Sequence, residues 1–244
     1  MAKKRADVLL VERGLFESRA KARAAIEAGG VTADGRGVAR ASEPLDESSE
    51  IVASPAHPWV GRGALKLLHA LETWPIEVAG RVALDLGAST GGFTEVCLAR
   101  GAAKVYAVDV GRGQLHPRLA ADPRVVSLEG LDARSLTSRL IQEPPQLIVA
   151  DLSFIGLQKA LPAALELAAE AADLVALVKP QFEVGPGRVG RGGLVKDAAA
   201  RAEALAGVAR FLAEAGWPVR ASGESPLRGG DGNREWLIWA RRGA

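Results

Sequence analysis

Lys179 closes a run of five apolar residues, Leu174-Val175-Ala176-Leu177-Val178, and Pro180 follows at once. Such a run reads as a strand buried on both faces. An ammonium group at its end belongs at the carboxyl edge of a sheet, where α/β folds bind ligands. Carboxylates close other apolar runs in the same way: Asp85 in "RVALD", Asp109 in "KVYAVD" and Asp151 in "QLIVAD", with Asp132 just past "RVVSLEG". Lysines and carboxylates gathered at one edge could take a proton from a weak acid. Asp109, 24 residues beyond Asp85, suits both hydroxyls of a ribose, and Asp132 suits the amino group of a base. Singly, each acid is more often a helix cap or a solvated loop residue. Their shared position at the ends of successive strands favours a site.

The elements that must hold these residues alternate. Strands are predicted over 81–88, 104–110, 124–130, 146–154 and 173–180, with helices over 93–101, 159–171 and 197–215. "WPVRASGES" and "EWLIWARR" close the pattern as two last strands. This predicts an α/β fold: a seven-stranded, mostly parallel sheet with helices on both faces. The first strand enters Asp85-Leu86-Gly87-Ala88-Ser89-Thr90-Gly91-Gly92-Phe93. Such a turn lets a ligand approach the backbone closely, and the helix start behind it favours an anionic group. Ser89 stands where the dinucleotide fingerprint needs its second glycine, and no Gly-Lys-Ser/Thr follows as in a P-loop.

The chain has 244 residues, 31 Lys and Arg against 29 Asp and Glu, and a formal net charge of +2. Bulk charge therefore hints at an anionic partner without establishing one. Cys97 is the single cysteine, which excludes an intramolecular disulfide, and His57, His69 and His116 lack metal-ligand spacing. No metal is expected. Glu12 and Arg13 break the first apolar stretch, so it does not read as a signal peptide. Residues 161–178 carry Glu166, Glu170 and Asp173, which argues against a membrane span. A cytoplasmic protein is expected, with no stable protein partner evident.

Residues 1–54 have a different texture. Two short helices, one in "ADVLLVERGL" and one capped by Ser18, precede a hairpin that turns at Asp34-Gly35. Residues 43–50 read as merely acidic and polar. Residues 1–23 hold seven basic and three acidic side chains, whereas 24–54 hold two and six. A net of zero thus hides a basic front face, suited to a phosphate backbone or simply to solvent. Asp7, Leu10, Gly14-Leu15, Ser18-Arg19, Ala22, Ile26, Gly29, Val31 and Asp34-Gly35 together resemble the S4 RNA-binding module. That resemblance implies binding to structured RNA, with Lys4, Arg5, Arg19, Lys21 and Arg23 as phosphate contacts. The expected division is an S4-like domain over 1–54, a linker over 55–59 and a catalytic domain over 60–244.

Glycine turn, ribose acid and base acid, in that order, resemble the S-adenosylmethionine (SAM) site of class I methyltransferases with their Rossmann-like sheet. Lys66 in "VGRGALKL" and Glu235 in "GNREWLIWA" then join Asp151 and Lys179. In isolation Lys66 would be a surface lysine and Glu235 a strand-edge charge. Lys-Asp-Lys-Glu in this order resembles the tetrad of the FtsJ-like ribose 2′-O-methyltransferases. With the S4 module, "GASTGGFTE", "ADLSFI" and "VKPQFEVG", the whole chain resembles the hemolysin A (TlyA) family of rRNA methyltransferases. The resemblance implies catalytic roles for Lys66, Asp151, Lys179 and Glu235, and SAM contacts from Asp85, Gly87, Ser89, Gly91, Asp109 and Asp132. It implies cytidine 2′-O-methylation of ribosomal RNA, free or in a subunit. The chain ends soon after its last strand, and the longer tail of dual-specificity members is missing, so the large-subunit (23S) rRNA is the expected target.

The chemistry is consistent. A ribose hydroxyl is a weak acid, so its proton must leave as the oxygen attacks. A lysine takes that proton only as the neutral amine. Burial and a second cation favour that form, while the two carboxylates oppose it and orient the lysines. Lys179 is the expected base. "EVGPGRVGRGG", 183–193, is either a disordered loop or a lid whose Arg188 and Arg191 grip phosphates. Trp236 and Trp239 alternate along a strand as packing residues, Trp59 belongs to the linker, and Cys97 is a small core residue. Two other classes fit less well: a non-catalytic RNA-binding or ribosome assembly factor, and a haemolysin acting on membranes.

Overall fold

The computed structural model describes residues 3–243. The chain forms two compact units that divide between Pro58 and Trp59. The first holds β1 (Lys3–Arg5), α1 (Ala6–Glu12), α2 (Arg19–Glu27), β2 (Val31–Ala33), β3 (Arg36–Gly37), β4 (Pro44–Asp46) and β5 (Ile51–Ala53). Ser18 caps α2, its Oγ accepting from the Lys21 N–H at 3.3 Å. Asp34 and Gly35 both adopt positive φ in the β2–β3 turn, the twist a two-residue hairpin requires. Leu9, Leu10, Ile26, Val31 and Leu45 fill the core of this unit. The acidic stretch 43–50 is more ordered than its polarity suggests. It contains β4, which pairs antiparallel with β1 and turns Leu45 into the core.

The second unit runs α3 (Ala64–Thr73), β6 (Val82–Leu86), α4 (Gly92–Ala99), β7 (Lys104–Asp109), α5 (Pro117–Ala120), β8 (Val125–Glu129), β9 (Leu147–Ala150), α6 (Leu157–Ala160), α7 (Pro162–Leu167), β10 (Ala172–Val178), α8 (Pro180–Glu183), α9 (Ala198–Glu214), β11 (Val219–Glu224) and β12 (Trp236–Arg242). These strands form one seven-stranded sheet in the order β11-β12-β10-β9-β6-β7-β8. Only β12 runs antiparallel to its neighbours. The chain builds outward from β6 to β8, then returns to β9 on the other side of β6. That reversal opens the crevice in which such sheets bind ligands. The helix predicted over 159–171 is instead two short helices. Pro162 has no N–H to continue the ladder of α6 and starts α7 as its first residue.

Strand alternation sorts the core into two layers. Leu84, Leu86, Ile148, Ala150, Leu174, Ala176, Val178 and Ile238 face α6, α7 and α9. Ala83, Leu147, Val149, Val175, Leu177, Leu237 and Trp239 face α3 and α4. Continuing that period of two puts Asp85, Asp151, Lys179 and Glu235 on the α3–α4 side. Lys66 is carried by α3. Trp59 packs, partly buried, against the same layer, and Cys97 is buried in it.

Candidate active site

Asp151, Lys179 and Glu235 stand at the sheet ends of β9, β10 and β12, three adjacent strands. Lys66 reaches up from α3 between them. Its Nζ lies 2.6 Å from Glu235 Oε2 and 3.7 Å from Asp151 Oδ2. Lys179 Nζ lies 2.6 Å from Asp151 Oδ1 and donates to Ser153 Oγ at 3.0 Å. The groups thus form one chain of alternating charge: Glu235, Lys66, Asp151, Lys179. Lys66 is 5%, Lys179 8% and Glu235 2% exposed, so neither the surface lysine nor the strand-edge charge of the isolated readings is present. Two cations and two anions close the local charge balance, which is what allows four ionisable groups to sit so deep.

Beside this chain a cavity of about 980 Å³ opens over the carboxyl ends of β6, β7 and β9. Gly87, Ser89, Asp109, Asp132, Asp151 and Ser153 lie in its wall. Gly87 has φ +82, and a Cβ there would come within 2.7 Å of the Asp151 carbonyl oxygen, so the turn hugs β9 as only glycine allows. Asp109 accepts from the N–H groups of Ser89 (2.8 Å) and Gly111 (2.7 Å), which fixes its carboxylate at the rim with lone pairs to spare. Glu129 orders the adjoining loop by accepting from the N–H groups of Gly113, Gln114 and Leu115. Asp132 caps the turn at 133–135, and hydrogen bonds from the Arg134 side chain hold its carboxyl down to about 2. Exposed Val110, with Leu131 and Ala133, supplies an apolar surface between the two acids. Two carboxylates, Asp109 and Asp132, on either side of an apolar wall fit an adenosyl group.

Two expected cofactor contacts lie elsewhere. Asp85 is fully buried beneath the turn, not in the cavity wall; its Oδ2 accepts from Thr94 Oγ1 at 2.6 Å and its Oδ1 has no hydrogen-bond partner. Burial pushes its carboxyl up to about 7. Gly91 faces α5: a Cβ there would collide with Leu119 and Leu115. The basic residues of the first unit form ion pairs: Lys4 with Glu12 and Glu47, Arg5 and Arg19 with Asp7, Lys21 with Glu17, and Arg23 with Glu27. Arg188 pairs with Glu203 and Asp197, whereas Arg191 has no ion pair among the described residues. The segment 183–193 is ordered into two short turns, and Asn233 ties its far end by donating to the Gly193 carbonyl and accepting from the Val195 N–H.

Phe154 escaped the sequence reading. It is 93% exposed, lines the cavity mouth, and lies 5.7 Å from the Phe182 ring. Its φ of +67 is rare for a bulky residue and marks stored strain. The signal available in the sequence was an aromatic three residues past a strand-end aspartate.

The sheet and its crevice define a Rossmann-like methyltransferase fold. A solved SAM-dependent methyltransferase from Mesorhizobium loti matches 74% of this chain and 99% of its own at a TM-score of 0.53, with 16% identity. The chain belongs to the FtsJ-like methyltransferase family, whose model matches residues 59–242, and it carries an S4 domain over 4–51. It is 50% identical over 239 residues to the 16S/23S rRNA (cytidine-2′-O)-methyltransferase TlyA of Mycobacterium tuberculosis, covering 97% of this chain and 89% of the relative. The 23S rRNA (cytidine-2′-O)-methyltransferase TlyA of Campylobacter jejuni is 36% identical over 196 residues, 80% of this chain and 73% of the relative. A solved chain from Streptococcus thermophilus that bears a hemolysin name matches all of this chain and 90% of its own, with 37% identity and a TM-score of 0.78. No helix among the described residues is long and apolar enough to cross a membrane.

Proposed function

We propose that the protein methylates the ribose 2′-oxygen of a cytidine in ribosomal RNA, with 23S rRNA as the principal target and SAM as methyl donor. The charge chain Glu235–Lys66–Asp151–Lys179, set beside a cavity with a ribose acid and a glycine turn, carries this reading. Both curated relatives act, by name, on 23S cytidine. SAM would supply an electrophilic sulfonium methyl group and a neutral thioether as leaving group. Gly87, Ser89, Asp109 and Asp132 hold the donor. Lys179, as the neutral amine, accepts the hydroxyl proton on Nζ. Asp151 orients Lys179 and links it to Lys66, whose ammonium Glu235 holds in place. Phe154 offers a platform on which an unstacked base can lie.

Residues 1–54 act as the RNA-binding domain, 55–59 as linker and 60–244 as catalytic domain. Ion pairs as exposed as those of Lys4, Lys21 and Arg23 are weak, so these side chains can exchange carboxylates for RNA phosphates, while Arg5 and Arg19 stay on buried Asp7 and offer their remaining N–H groups to phosphate. Arg188 and Arg191 contact RNA from the ordered glycine-rich segment. The reaction takes place in the cytoplasm, on rRNA or a ribosomal subunit.

Tritiated methyl transfer to free rRNA, isolated subunits and whole ribosomes tests this directly, with the modified nucleotide mapped on both rRNAs. The expected product is a 2′-O-methylcytidine in 23S rRNA. Label on a base, or no label on any of these substrates, would overturn the proposal.

A further inference from the structure

We propose that Ser153 is a positioning residue of this site: with Asp151 it fixes the rotation of the Lys179 amine and so aims the nitrogen lone pair at the substrate hydroxyl. The inference rests on the role proposed for Lys179 as proton acceptor. A neutral amine has two N–H groups and one lone pair in tetrahedral array. Asp151 Oδ1 lies 2.6 Å from Nζ, and Ser153 Oγ accepts from it at 3.0 Å. The bond to Ser153 fixes one N–H, and the Asp151 carboxylate, an ion-pair contact and not a hydrogen bond, draws the second toward its side, which leaves one direction for the lone pair. With Asp151 alone, the second N–H and the lone pair can exchange places by rotation about the terminal carbon–nitrogen bond. An amine turned that way presents a proton where a proton must be received.

The local backbone holds Ser153 in place. Asp151 N–H donates to the Leu86 carbonyl at 3.0 Å, which ties the start of the loop to β6. Glu183 Oε1 accepts from the Leu157 N–H at 2.7 Å, which ties its end to α8. α8 begins at Pro180, directly after Lys179, so one short segment carries the base and anchors the Ser153 loop. Between these ties Phe154 takes its positive φ and turns the loop sharply beside Ser153. Ser153 is exposed in the cavity wall, and among the described residues its hydroxyl bonds only to Lys179. The serine therefore serves the base and not the packing of the loop.

Ser153→Ala and Ser153→Thr in the full chain test this, using single-turnover transfer at saturating SAM and rRNA. The alanine variant should be roughly fivefold slower, the effect of one net hydrogen bond. Its affinities for SAM and rRNA and its melting temperature should equal those of the wild type. Threonine keeps the hydroxyl and should restore most of the rate. An alanine variant as fast as the wild type overturns the assignment of Ser153 and leaves the wider reading intact. A loss that appears only in SAM or rRNA affinity, or that threonine does not restore, also overturns it. Full activity of Lys179→Ala removes the base itself, and the inference about Ser153 falls with it.

Discussion

Three side chains carry distinct consequences at the scale of single residues. Phe154 combines strain with exposure, and each can be tested apart from the other. Phe154→Gly relieves the positive φ, so the variant should melt no lower than the wild type. Base–aromatic stacking is worth about 1–3 kcal/mol, so the same variant should bind rRNA roughly 5- to 150-fold more weakly, while Phe154→Tyr binds normally. Filter binding and a thermal melt read the two effects separately. Asp85 carries a pH signature. Its folded carboxyl titrates near 7, above the unfolded value near 4, so the native state binds the proton more tightly. Its burial cost is absent below about pH 4 and develops fully as pH rises through about 7. Asp85→Asn should therefore gain melting temperature over the wild type progressively between pH 5 and pH 8. Lys66 poses a caution for mutagenesis. Its removal leaves Glu235 buried and unpaired, a change that costs about 3–5 kcal/mol. Lys66→Ala should lose stability along with activity, which makes Lys179→Ala the cleaner probe of chemistry.

Elements show how the sheet keeps its two ends apart. Asp173, near the start of β10, accepts from Trp239 Nε1 (2.7 Å), Arg241 Nε (2.8 Å) and Arg81 Nη1 (2.7 Å). Burial alone would raise its carboxyl, but the hydrogen bonds from Arg241, Arg81 and Trp239 outweigh burial and hold it below the usual range. β10 thus begins in a staple and ends just before Lys179, the proposed proton acceptor. Asp173→Ala leaves buried donors unmet and should lower the melting temperature while Lys179 chemistry in the surviving folded fraction stays unchanged. The glycine-rich segment after α8 is a second element with its own test. Among the described residues Arg191 has no ion pair, whereas Arg188 is engaged by Glu203 and Asp197. Arg191→Ala should reduce the salt slope of rRNA binding by about 1, and Arg188→Ala by less. Equal slopes in wild type and both variants would remove this segment from the RNA interface. The tether through Asn233 is why a stretch with five glycines, predicted as disorder or lid, is ordered.

The whole molecule is two units, each with its own apolar core. Residues 59–244 expressed alone should therefore fold and bind SAM as the full chain does, but should bind rRNA more weakly and with a smaller salt slope. A fragment that cannot bind SAM would overturn the independence of the second unit. Much of this organisation was legible in advance. Strand and helix periods, the Asp-Gly turn and the glycine-rich strand–turn–helix are local patterns, written in residues close along the chain. They determined the α/β class, the order of the two domains and the positions of Asp109, Asp151 and Lys179 at strand ends. Even the parity that puts Asp151, Lys179 and Glu235 on one face follows from a period of two. What only the tertiary structure decided is which strand ends stand together and which side chains they shield. The Lys66–Glu235 pair spans 169 positions of sequence, and no local pattern reports that distance. The burial of Asp85, the pairing of the basic residues and the reach of Ser153 to Lys179 depend likewise on strand order and packing, because contacts between remote segments exist only once the sheet has closed around them.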